Sequence, residues 1–137
     1  MLLNEINPTD ALKGILEERV TEKVYAGDKP TDKLPNEYLE LFQNGGLKTN
    51  FSKMGIVEGY VMISISVKLL STGGRNTKKE NLILKKFDDL FENNKIIEKD
   101  GYVFQLEPRN MVYDGGGIYE GYTTKLINLK YNYYGNS

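Results

Sequence analysis

The chain has 137 residues, with 18 basic and 19 acidic side chains and a net charge of -1. That length supports one core, so residues 1–137 are expected to form a single domain with flexible ends at 1–7 and 135–137. Histidine and cysteine are both missing, which excludes disulfides, thiolate nucleophiles, cysteine zinc sites and the usual base of a nucleophilic triad.

Asn7-Pro8-Thr9-Asp10 has the form of a helix start. Asn7 can cap, proline suits the first helical position, and Asp10 meets the positive end of the dipole. Ala11, Leu12, Ile15 and Leu16 follow at helical spacing, so residues 8–20 are expected to form an amphipathic helix, weakened slightly by Gly14. Residues 23–26 read as a short strand, 27–35 as a proline-containing loop and 36–43 as a second strand. Residues 43–55 read as a long exposed loop, yet they carry Leu47, Phe51 and Met54.

Residues 59–70 give the clearest strand signal. Val61, Ile63, Ile65 and Val67 alternate with Tyr60, Met62, Ser64, Ser66 and Lys68, as in an antiparallel strand with one core face and one semi-polar face. A glycine-containing break leads into a second helix over 77–93, with Ile83, Phe87, Leu90 and Phe91 on one side. Asn76 or Thr77 caps it; if Thr77 does, Glu80 holds the capping-box position. Lys99-Asp100-Gly101-Tyr102 reads as a turn into a strand over 102–106. Residues 108–120 read as a loop with a flexible Asp114-Gly115-Gly116-Gly117 centre, allowing a short strand near 111–113. Residues 122–134 read as a long last strand with Ile127, Leu129, Tyr131 and Tyr133 on one side. The order lacks a strand–helix repeat. It predicts an α+β fold: a mainly antiparallel sheet of four to six strands with two main helices against it.

The candidate chemistry is thin. Ser64, Ser66 and Ser71 near Lys68 could form a Ser–Lys pair, but serines alternating along a strand fit a polar sheet face better. Asp88 and Glu92 share a helix face, as a metal pair could. Lys85 lies three and four residues from Asp88 and Asp89, and Lys86 three from Asp89, so a solvated, internally paired face is the preferred reading. Ser71-Thr72-Gly73-Gly74 matches neither phosphate-binding fingerprint. We therefore expect no catalytic residues, no metal and no cofactor. The balanced charge also argues against a dedicated nucleic-acid binder, whose affinity comes largely from neutralised phosphates. Six of the ten tyrosines stand at Tyr113 or later. Tyrosine is enriched in protein interfaces, so Tyr113, Tyr119 and Tyr122 join Leu47, Phe51 and Met54 as candidate contact residues. The first residues lack a signal peptide's basic and apolar regions, and no apolar run reaches spanning length, so a cytoplasmic protein is expected.

The order of elements resembles a known family. A helix over 8–20 leads through a proline-containing loop to Leu34-Pro35-Asn36-Glu37-Tyr38-Leu39-Glu40-Leu41. The long strand Val61-Met62-Ile63-Ser64-Ile65-Ser66-Val67 then runs into a helix ending Phe87-Asp88-Asp89-Leu90-Phe91. Strands over 102–106 and 122–134 close the chain. This resembles the tail terminator (tail completion, or tail-to-head joining) proteins of long-tailed bacteriophages and phage-tail-like particles. The resemblance covers most of the chain and rests on element order, without a diagnostic motif. It implies a structural, non-enzymatic protein that forms a homohexameric ring on the finished tail tube. Its partners would be the tail tube protein and a head-completion or neck protein, with DNA only passing through the ring and no membrane involved. It also implies assembly in the bacterial host cytoplasm and residence in the finished virion or tail particle. The alternatives are another head–tail connector or tube component, or a small nucleic-acid-binding or regulatory module.

Overall fold

A computed structural model describes residues 8–21, 23–43, 57–93, 96–108 and 113–135. In chain order the elements are α1 (Pro8–Arg19), β1 (Val24–Tyr25), β2 (Glu37–Gln43), β3 (Val57–Lys68), α2 (Thr77–Asn93), β4 (Ile96–Lys99), β5 (Tyr102–Pro108), β6 (Tyr113–Tyr119) and β7 (Tyr122–Gly135). The fold is α+β. Six strands follow one path, β1-β2-β3-β7-β5-β4, and β6 adds to β7 off that path. Among the described residues, β1 pairs with β2 in parallel and the other pairings are antiparallel.

Strands β5 and β6 pair with different halves of β7. Tyr102 to Pro108 run against Gly135 to Leu129, and Tyr113 to Tyr119 run against Leu126 to Tyr122. The two thus form an interrupted strand along one long neighbour. The glycine run expected as a flexible loop lies inside β6, where the register shifts between Asp114 and Ile118. Glycine loosens a strand without forbidding it, and a bulge absorbs the mismatch. Two tight turns hold the hairpins: Asp100 and Gly101 at φ 52° and 81°, and Glu120 and Gly121 at φ 51° and 84°. Positive φ at both central residues matches the right-handed twist of the strands they join.

Register places Leu41, Ile63 and Ile127 in one row, and Val61 and Leu129 in the next. All five are buried, together with Leu39, Ile65, Phe104 and Leu106. Against this face α1 sets Ala11, Leu12, Ile15 and Leu16, and α2 sets Ile83, Phe87 and Leu90. Lys99 forms an ion pair with Glu18, tying the β4–β5 hairpin to α1. Gly59 faces Tyr131 across β3 and β7. A Cβ there would fall within the Tyr131 ring, 2.6 Å from its hydroxyl oxygen, so glycine makes room for the ring.

The start of α2 differs from the capping box. Asn76 is the cap, its Oδ1 accepting the Lys79 N–H at 3.2 Å. Glu80 is instead buried at 2% exposure. Its carboxylate accepts from Arg75 Nη2 at 2.8 Å and from the Thr123 hydroxyl at 3.2 Å. A buried carboxylate needs such donors. These bonds fasten the turn before α2 and the first turn of α2 to the start of β7.

Candidate interaction surface

Alternation sends half of each strand to the face away from the helices. That face carries Tyr25, Tyr38, Glu40, Phe42, Tyr60, Met62, Ser64, Ser66, Tyr122, Leu126 and Asn128. At its β1 end three rings form a ladder. Tyr25 meets Tyr38 edge-on at 5.8 Å between centroids, and Tyr38 meets Tyr122 edge-on at 5.6 Å. Tyr38 is on β2 and Tyr122 on β7, with β3 between them. The rings can meet only because β3 offers a small residue there. Ser66 pairs with both Tyr38 and Thr124 and is itself buried. The semi-polar face expected for β3 is therefore covered by its neighbours at Ser64 and Ser66, which takes these two serines out of a Ser–Lys pair with Lys68 and leaves Ser71 alone exposed among the three named.

Tyr122, expected as a contact residue, is half-buried. Its hydroxyl donates to the Pro35 carbonyl at 2.7 Å, so it anchors the segment before β2. Burial holds this hydroxyl above the usual phenol range, and Tyr38 and Tyr25 add to the effect. Tyr113 and Tyr119 lie at the two ends of β6, opposite Leu126 and Tyr122. That places them on a paired strand, not on a loop. Leu47, Phe51 and Met54 lie outside the described residues, in the segment joining Gln43 to Val57.

Further along, the row Phe42–Met62–Asn128 crosses β2, β3 and β7. Phe42 is 41% exposed, and the segment with Leu47, Phe51 and Met54 begins two residues after it. The Asn128 Oδ1 atom is buried without a hydrogen-bond partner. Such an atom costs about 1–3 kcal/mol unless something satisfies it. The charges here are paired: Lys29 with Glu40 at 3.5 Å, and Lys130 with Glu107 at 3.9 Å. Lys29 also stands 5.9 Å from the centre of the Tyr38 ring. What remains is an aromatic and apolar strip bordered by neutralised charge, a surface suited to protein contact. The sequence does not single out Phe42 or Met62. Strand alternation places them with the polar face, and what marks them is that, among the described residues, no helix packs on that side.

Among the described residues, no group of three or more acidic, histidine or cysteine side chains is placed to hold a metal ion. No helix there is long and apolar enough to cross a membrane. No family model matches the sequence, and no curated protein matches it. A solved structure of a protein whose name carries no functional word is similar over 91% of this chain and 94% of that one, with a TM-score of 0.54 at 15% identity. A likeness at that identity shows the fold alone.

Proposed function

We propose that this chain is a structural assembly protein of a long-tailed phage or phage-tail-like particle. It packs against copies of itself as a ring that ends the tail tube and joins it to a head or neck protein. The role is contact rather than catalysis. The observation that carries it is the helix-free sheet face, where exposed Phe42 and half-buried Met62 and Leu126 lie among paired charges. The element order shared with the tail terminator proteins supplies the particular setting. In that setting the chain is made in the bacterial host cytoplasm and ends in the particle, and DNA passes through the ring without being bound as a ligand.

Light scattering and negative-stain microscopy on the purified chain, alone and with isolated tail tubes, test this proposal. The expected result is a discrete ring that binds tube ends, weakened at least tenfold by Phe42→Asp. Polymerisation into long tubes would favour the tube-component alternative. A chain that stays monomeric and ignores tube ends would overturn the proposal.

A further inference from the structure

Helix α2 has a second face that the sheet does not use. Lys78, Leu82, Lys85, Asp89 and Glu92 are all exposed, Leu82 at 48%. Their spacing of four, three, four and three residues draws a straight stripe along the helix. The stripe is basic in its first half and acidic in its second. This is the reverse of the order that the helix dipole favours, which wants anions at the start and cations at the end. Glu80 brings no anion to the exposed first turn, since it is buried against Arg75 and Thr123. The expected pairs of Lys85 and Lys86 with Asp88 and Asp89 do not form. Among the described residues, none forms an ion pair with Lys78, Lys85, Lys86, Asp88, Asp89 or Glu92.

A charge order that works against its own helix is complementary to the same helix running the other way. We infer that α2 docks antiparallel on α2 of a second copy of this chain, about a twofold axis between Leu82 and Lys85. In this register Lys78 of each copy lies opposite Asp89 of the other, and the methylene stem of each Lys85 covers the other copy's Leu82. The contact uses the same patch on both copies. It is independent of the tail-end proposal, which needs a head-to-tail surface elsewhere. It would pair two chains, or two rings back to back, and it stands or falls without tail tubes.

Two charge-reversed variants test it. One carries Lys78→Glu, Lys85→Glu and Lys86→Glu; the other carries Asp88→Lys, Asp89→Lys and Glu92→Lys. All six sites are exposed, and circular dichroism would verify that each variant is folded. Sedimentation velocity at about 20 mM salt should show the wild type associating through a contact at least tenfold weaker at about 0.5 M salt, where charges are screened within a few ångströms. Each variant alone should lose this contact. An equimolar mixture should restore it as a mixed pair, a result that misfolding cannot produce. A third variant, Leu82→Ser, should weaken the pair without changing its salt dependence, because it removes apolar contact and leaves every charge in place. The inference is overturned if the wild type shows no salt-sensitive pairing, if either variant pairs alone as the wild type does, or if the folded variants fail to pair when mixed.

Discussion

The two faces of the sheet are built from the same strands by different means. On the helix-covered face, rows of branched aliphatics meet α1 and α2, and burial is nearly complete from Leu41 through Ile63 to Ile127. On the helix-free face, tyrosines on β2 and β7 reach across β3 and close over Ser66. The first face buries its surface against another layer. The second covers part of itself and leaves Phe42 exposed and Met62 half-buried. A sheet thus needs no second layer of helices to bury small residues, provided that large rings flank them. Where the flanking residues are smaller, an apolar strip is left for something else to cover.

The comparison breaks most sharply at the covered face. Phe104→Ala should destabilise the fold by about 3–5 kcal/mol in chemical denaturation, because the ring is fully buried and packs on Tyr131 and Tyr133. A loss below about 1 kcal/mol would mean that this layer is loosely packed.

Alkaline pH probes the same cluster. Burial pushes the Tyr131 hydroxyl up to about 12, with Tyr133 adding to the rise and a hydrogen bond with Thr9 acting against it. The folded state therefore holds this proton more tightly than the unfolded chain does. The contribution is fully present below about pH 10 and is lost as pH rises from there through about 12, a total of about 3 kcal/mol. Thermal melts across that range should fall steeply for the wild type and less steeply for Tyr131→Phe. Equal slopes would place the titration elsewhere.

Glu80→Ala should cost about 1–3 kcal/mol, because Thr123 loses its carboxylate partner and Arg75 its anchor. Chemical denaturation at neutral pH measures this loss. The smallest change in stability is expected on the helix-free face. Phe42→Ser should stay within about 0.5 kcal/mol in denaturation, yet weaken self-association or tube binding. A large loss of stability there would make Phe42 part of the core and remove it from the candidate surface.

Much of this division is legible in the chain. The alternation of Val61, Ile63, Ile65 and Val67 and the spacing of Ile83, Phe87 and Leu90 mark the surfaces that meet. Asp100-Gly101 marks a hairpin, because these residues tolerate positive φ. Strand β4 has no such mark: with two isoleucines followed by two charges, its pairing with β5 depends on the turn beyond it. The glycines of β6 read as a loop because their local preference is weak, and β7 supplies the hydrogen bonds that extend them. Composition singles out Tyr122, and the fold uses its hydroxyl to hold Pro35.

By itself the sequence determined the fold class, the two amphipathic helices, the central strands and the lack of histidine and cysteine chemistry. These follow from periodicity and residue type, which are local. Tertiary structure alone decided which serines are covered, which carboxylate is buried and which face of the sheet is left without a helix. Each depends on residues far apart in the chain meeting across strands. Glu80 shows the reason most clearly. Its position in the chain suits an exposed capping box, and its fate is decided by Arg75 and Thr123, which only the folded chain brings to it.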